Sequence, residues 1–235
     1  MKEVRYFYTP DIEKSHELPE EEAAHALRVL RMQQGDEMVL MDGRGNYYAA
    51  VISAASGKRC QFQVLEKIPQ PRQWTGHLHL AMGPTKNMDR TEWFAEKATE
   101  IGFDELTFLN CRWSERKVIK NERVDKILIS AMKQSHKAEK PALNEMMDFK
   151  KFMAQEFTGQ KFIAHCHRDD LPELRKVIVP DQDVTVLIGP EGDFSEEEVS
   201  LAESKGFQSI SLGKSRLRTE TAALVAVHIM HLFNS

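Results

Sequence analysis

The period of the apolar residues changes once along this chain of 235 residues, at Ile68-Pro69-Gln70-Pro71-Arg72. Before that run, short alternating stretches are separated by turn residues. After it, apolar strand-like runs alternate with helical patterns. The two prolines stiffen the junction and oppose a continuing sheet. Two domains are therefore expected, residues 1–70 and 74–235.

The first domain reads as mainly β. Val4–Tyr8 is a short strand, and Pro19–Leu30 reads as a helix with Ala23, Ala26, Leu27 and Leu30 on one face. Glu37–Met41, Tyr47–Ala54 and Cys60–Ile68 alternate as strands. They are joined by Asp42-Gly43-Arg44-Gly45-Asn46 and Gly57-Lys58-Arg59, where Gly and Asn accept positive φ. Short loops between strands imply a small barrel or compact sheet.

In the second domain, His77–Met82, Leu106–Leu109, Lys161–Cys166, Val184–Ile188 and Ser209–Leu212 read as strands. Helices are expected over Asp89–Ile101, Glu122–Lys137, Glu196–Lys205 and Thr219–Phe233, with Gly102 and Gly206 as stops. Such alternation predicts an α/β fold, a mostly parallel sheet with helices on both faces.

Charge excludes some functions and localises others. The net charge is −4, so no whole-protein field draws the chain onto nucleic acid. Residues 112–140 nevertheless carry nine Lys/Arg against four Asp/Glu, net +5, while residues 141–212 carry seven against fourteen, net −7. The longest apolar run, Ala222–Val227, is six residues, far short of a membrane span of about 20. The first eight residues hold no apolar stretch of the kind a secretory leader needs. Three cysteines, Cys60, Cys111 and Cys166, lack C-x-x-C spacing. A cytoplasmic protein with no zinc site is expected. His25, His77, His79, His165 and His167 show no ligand spacing, so no metal is expected. Tyr47 and Tyr48 suit base stacking or strand packing equally well.

Two connections near the end of the chain could build a site. In Leu187-Ile188-Gly189-Pro190-Glu191-Gly192-Asp193-Phe194-Ser195 a buried strand runs into a glycine-bearing turn, and Ser195 with Glu198 forms a capping box. Ligands of open α/β sheets bind beyond the carboxyl ends of strands, where this loop lies. Its acidic flank disfavours phosphate, and it lacks a Walker or G-x-G-x-x-G pattern, so a neutral or cationic ligand fits better. The second, Leu212-Gly213-Lys214-Ser215-Arg216-Leu217-Arg218-Thr219-Glu220-Thr221, enters the last helix, with Thr219 or Thr221 as its expected cap. That helix is apolar nearly all round, which suits a deep core or half of a subunit interface. Arg216 and Arg218 there are paired or functional, and Glu220 is the local candidate partner.

These segments resemble the SPOUT methyltransferases and, more narrowly, the RsmE family of 16S ribosomal RNA uridine-N3 methyltransferases. The resemblance runs in order through His25-x-x-Arg28-Val29-Leu30-Arg31-Met32, then Lys86-x-Met88-Asp89 to Phe94-x-x-Lys97-x-x-Glu100-Ile101-Gly102, then Ser114-Glu115-Arg116 and Gln134-Ser135. It ends with Ile188-Gly189-Pro190-Glu191-Gly192 and Leu212-Gly213-x-x-x-Leu217-Arg218-Thr219-Glu220-Thr221-Ala222. Two positions depart from the family pattern. Gly192-Asp193 stands where the family has Gly-Gly, and His136-Lys137 where it has Gly-Arg.

The resemblance implies an N-terminal PUA-like β-barrel for RNA and a C-terminal SPOUT α/β domain. Residues from about 160 to 235 would form a trefoil knot that binds S-adenosylmethionine. It also implies a homodimer acting on 16S rRNA or the assembled small subunit. On that reading, His165, Ile188, Gly189, Pro190, Glu191, Gly192, Ser211, Leu212, Gly213, Ser215 and Leu217 hold the cofactor. Arg218, and after it Arg216, would stabilise the uracil anion, with Glu220 orienting Arg218 or taking the N3 proton. Arg28, Arg31, Arg116, Lys117, Lys133 and Lys137 are expected to contact phosphate. Three alternatives stand beside this reading. They are a SPOUT enzyme acting on another RNA base, a non-catalytic RNA-binding or ribosome-assembly protein of the same fold, and a nucleotide-phosphate enzyme, which the acidic loop opposes.

Overall fold

The computed structural model of the chain describes residues 4–235. Met1–Glu3, which belong to the stretch read above for a leader and to the start of the first domain, lie outside the described residues. The chain divides into two units. One runs up to Arg72 and includes Met132–Lys140; the other holds Gln73–Ala131 and Pro141–Ser235.

In the first unit, β1 (Tyr6–Tyr8) is followed by α1 (Glu20–Ala24), β2 (Glu37–Met41), β3 (Asn46–Ser56) and β4 (Arg59–Pro69). These strands form one sheet in the order β1-β2-β3-β4, parallel between β1 and β2 and antiparallel elsewhere. The edges of this sheet are β1 and β4, and Glu17 bridges Gln61 on β4. Period-two alternation buries Met38 and Leu40, then Tyr48, Ala50 and Ile52, then Cys60 and Phe62. Tyr48 packs in this core rather than on the surface. β4 continues through Pro69, which pairs with Asn46, so the first proline sits at the end of a strand rather than beyond it.

The helix expected over Pro19–Leu30 is shorter and uneven. After Ala24 it widens into a π turn over His25–Val29, with Leu30 N–H donating to His25 O at 3.0 Å. Ala23 and Ala26 are buried, while Arg28 and Val29 are exposed.

The second unit follows the alternation read from the sequence: β5 (Leu78–Met82), α2 (Met88–Ile101), β6 (Glu105–Asn110), α3 (Asn121–Gln134), β7 (Ala142–Leu143), β8 (Met147–Asp148), α4 (Phe149–Met153), β9 (Gln160–Ala164), α5 (Leu174–Val177), β10 (Val184–Ile188), α6 (Glu196–Ser204), β11 (Gln208–Ile210) and α7 (Thr219–Asn234). All its strands are parallel, in the order β11-β9-β10-β5-β6-β7, with β8 also on β6. The central strands β5 and β10 are buried along their whole length, as a sheet covered on both faces requires. Leu78, Leu80 and Met82 meet α2, α3, α5 and α7, while Ala81, Ile163 and Leu187 meet α4 and α6.

Local chemistry sets the helix ends. Asn87 caps α2 by accepting from Asp89 N–H, and Gly102, at φ 115°, ends it. The Ser195–Glu198 capping box starts α6. α7 departs from expectation, because its N-cap is Arg218, with no side-chain hydrogen bond, rather than Thr219 or Thr221. α3 stops at Gln134, short of Lys137, because His136 turns to φ 52°. In the first unit the Tyr6 ring stacks on His136 at 4.3 Å, and the Tyr47 hydroxyl donates to His136 O. The two positions where the resemblance expects glycine share a backbone feature. His136 and Asp193 (φ 64°) both occupy the left-handed region, where glycine is at ease and other residues need local support.

Candidate active site

Because β5, β9, β10 and β11 are parallel neighbours, their carboxyl ends share one edge of the sheet, and their exit loops meet there. They enclose a cavity of about 290 Å³, near the lower end for a small-molecule site. After β9, Ala164, His165 and Cys166 line it; after β10, Ile188, Gly189, Pro190, Glu191 and Asp193 do so. After β11, Ser211, Leu212, Gly213, Ser215, Arg216 and Leu217 close it, and Arg218, Thr219, Glu220 and Ala222 carry the wall into α7.

Close backbone packing fixes these walls. Gly83, just past β5, donates its N–H to Ile188 O at 2.9 Å, and a Cβ there would stand 2.7 Å from Pro190 N. Asp193 ties two loops together, accepting from Cys166 N–H with one oxygen and from Phe194 N–H with the other, both at 2.8 Å. Leu174 N–H donates to Ser211 O, and Ser211 N–H to Pro172 O, both at 2.9 Å, so the segment after β9 is bound to the one after β11.

Charge in the cavity is mixed. Arg216 and Arg218 are exposed and make no ion pair or side-chain hydrogen bond among the described residues. Glu220 is buried at 7%, and its partner is Arg90 of α2, whose Nε lies 3.8 Å from Oε1, rather than either arginine of its own loop. Its Oε2 is buried without a hydrogen-bond partner. Burial, and secondarily the Arg168 guanidinium, holds His165 below the ordinary imidazole value. Burial, followed by the Asp193 charge, pushes the Cys166 thiol up, which opposes a reactive thiolate there.

Of the expected cofactor-binding and catalytic residues, only Gly192 is absent from the cavity wall. It turns outward, with Trp113 filling the space its Cβ would take. Arg90 was missed. The available signal was its place in the first turn of the helix that follows β5, at the same sheet edge. The expected phosphate contacts are dispersed. Arg28 and Arg31 are exposed in the first unit, where the half-buried Lys137 is pushed below the ordinary ammonium value by burial. Lys133 is engaged by Glu22 at 2.6 Å. In the second unit Arg116 donates to Thr85 O at 3.1 Å and to Lys86 O at 2.5 Å, and Lys117 to Asn110 Oδ1 at 3.1 Å. Among the described residues, no three His, Cys, Asp or Glu gather as metal ligands, and no helix is long and apolar enough to cross a membrane.

The domain family described as the RNA methyltransferase domain matches residues 72–231. The chain belongs to the RNA methyltransferase family. Residues 18–65 also match that family's PUA domain. The chain is 30% identical over 210 residues to the ribosomal RNA small subunit methyltransferase E of Synechocystis, spanning 85% of this chain and 67% of that one. Among solved structures, a probable rRNA-methyltransferase of Porphyromonas gingivalis superposes with a TM-score of 0.93 at 44% identity, over 98% of both chains. The small subunit methyltransferase E of Neisseria gonorrhoeae, solved bound to S-adenosyl methionine, superposes with a TM-score of 0.87 at 25% identity, again over 98% of both. The methyltransferase domain thus carries the cavity, and its parallel sheet supplies the loops around it.

Proposed function

We propose that this chain transfers a methyl group from S-adenosylmethionine to N3 of a uridine in 16S ribosomal RNA, free or within the small subunit. The observation that carries the reading is one cavity where three strand-end loops meet two unpaired arginines and a buried carboxylate oxygen without a partner. The residues fit the cofactor. Backbone groups of Gly189–Glu191 and Ser211–Leu217 suit an adenine edge and a ribose, while Glu191, Asp193 and Glu220 set negative charge around a cationic sulfur. When bound, S-adenosylmethionine supplies an electrophilic methyl group.

The chain's own residues position the reactants and manage charge. Uracil N3 is nucleophilic only as its proton leaves, and the resulting charge spreads to O2 and O4. Arg218, and after it Arg216, meets that charge. Since Glu220 pairs with Arg90 and not with Arg218, its supported role is to receive the N3 proton on Oε2. Arg28, Arg31, Arg116 and Lys117 contact RNA phosphates, so binding weakens with salt.

The strand order and the bonds from Ser211 to Pro172 and Leu174 support threading of the last segments into a trefoil knot. A second copy covers the face where α2 and α7 pack, which leaves Trp93 and Leu232 exposed at 44% and 58%. The test is a calorimetric titration with S-adenosylmethionine, followed by methylation of unmodified small subunits and mass mapping of the product. Saturable binding and one 3-methyluridine are expected. No binding, or methylation of another base, refutes the reading.

A further inference from the structure

Trp113 stands out on the surface of the methyltransferase unit. It lies in the segment that leaves the carboxyl end of β6, and it is 53% exposed. A large aromatic side chain with that much surface in water has been left without an internal packing role. Yet its backbone and Cβ are held firmly. Arg112 N–H donates to Glu198 Oε1 at 2.8 Å, and Cys111 N–H to Ser114 Oγ at 3.0 Å. Gly192 presses against the Trp113 Cβ so closely that a Cβ at 192 would come within 2.7 Å. The indole is thus a projecting ring on a fixed base, one residue from the cavity wall at Glu191 and Asp193.

The surroundings indicate what the ring receives. The Arg112 guanidinium lies 5.5 Å from the ring centroid, and Lys117 follows on the same segment. The Lys86 backbone N–H donates to Glu191 Oε1 at 2.8 Å, and its ammonium pairs with Glu115 of the same segment at 2.7 Å. An aromatic face beside cations, at the rim of a site for an RNA methyltransferase, matches unpaired nucleotides, whose bases stack while their phosphates meet the cations.

We propose that Trp113 is a stacking platform for an unpaired RNA base flanking the target nucleotide. The base lies on the indole, and Trp113 acts in substrate binding and not in methyl transfer itself. This rests on the reading that RNA is the substrate. It explains why Gly192, alone among the expected cofactor-binding residues, meets Trp113 and not the cavity: its missing side chain lets the platform sit against the cofactor loop.

Trp113→Phe and Trp113→Leu both keep the Cβ that Gly192 packs on, so both leave the segment seated. Two readouts are compared with wild type: quenching of tryptophan fluorescence by a ten-nucleotide oligouridylate, which needs no turnover, and the KM and kcat for methylation of small subunits. Trp113→Leu is expected to raise the KM for subunits about fivefold or more, the lower range for one stacked base, with kcat at saturation and cofactor affinity held. Trp113→Phe keeps the KM within about twofold of wild type, and the oligouridylate quench is lost in both variants, which lack the reporting indole. An unchanged KM and quench in Trp113→Leu would overturn the platform, as would a KM defect equally large in Trp113→Phe. A change in the sedimentation of free enzyme on Trp113→Leu would also overturn it by assigning the ring to a protein interface. If wild-type protein binds oligouridylate through Trp113 but methylates no RNA, the platform stands and the reaction proposed above falls.

Discussion

Asp193 offers the sharpest test of how the cavity is held. Its backbone is left-handed, at φ 64°, and its two carboxylate oxygens accept from Cys166 N–H and Phe194 N–H. Phe194 is fully buried, so Asp193→Ala leaves an amide with neither partner nor water, while the exposed Cys166 amide regains water. Hydrogen bonds to a charged group contribute about 1.5–3 kcal/mol each, and the resolvated one contributes the lesser part. The loss is then about 3 kcal/mol. Asp193→Gly loses the same bonds but relieves the left-handed backbone, which costs a residue with a Cβ roughly 1 kcal/mol. Asn keeps one acceptor oxygen and tolerates the conformation. Stability is expected to fall in the order wild type, Asp193→Asn, Asp193→Gly, Asp193→Ala, the last two losing about 2 and 3 kcal/mol. Urea unfolding at pH 7 measures this, and because the tie joins two walls of the cavity, affinity for S-adenosylmethionine follows the same order. An Asp193→Ala protein as stable as wild type, or more stable than Asp193→Gly, refutes both the tie and the strain.

Other perturbations separate the site from the scaffold. Gly83→Ala places a Cβ 2.7 Å from Pro190 N and 2.8 Å from its ring, neither of which can swing aside; it should cost roughly 1–3 kcal/mol in thermal unfolding and loosen cofactor binding in calorimetry. Arg218→Ala removes an exposed side chain that makes no cap bond, so melting and cofactor affinity hold while single-turnover methylation slows ~10²–10³-fold; near wild-type turnover rejects the assignment. Lys133→Ala strands the buried Glu22 carboxylate and should destabilise by about 3 kcal/mol, much of which Glu22→Gln in the same chain restores; an additive double variant would deny the pairing. Below pH 6.5 stability should decline towards about pH 4, because burial lowers His79 to about 4 and the unfolded chain takes up that proton first. A second decline is expected from about pH 4.5 to about 2, where Glu105, held down chiefly by its hydrogen bond to His77, becomes protonated. His77, raised mainly by the same bond, adds stability below pH 6.5 that is lost as pH rises through its folded value. Glu105→Gln should flatten the acid limb below pH 4.5 in urea midpoints, and an unchanged limb would remove Glu105 from the account.

Much of this protein is written locally. The apolar run Val184–Ile188, the Ser195–Glu198 capping box, the stop at Gly102 and the alternation of Glu37–Met41 each depend on residues a few positions apart, so sequence alone determined these elements and the parallel α/β class. The glycine-bearing connections after β10 and β11 were legible for the same reason: turn chemistry at a strand's end is a short-range signal. Tertiary structure alone decided which loops share a cavity, that Arg90 faces Glu220 across 130 positions of chain, that Lys133 answers Glu22, and that Gly192 faces Trp113 instead of the cavity. It also decided that Asp193 and His136 could stand at left-handed positions, since the groups that support them come from distant strands. Hydrophobic period and capping act within one turn or one strand, whereas burial of a charge and the pairing of a guanidinium exist only once the sheet has brought separate ends together.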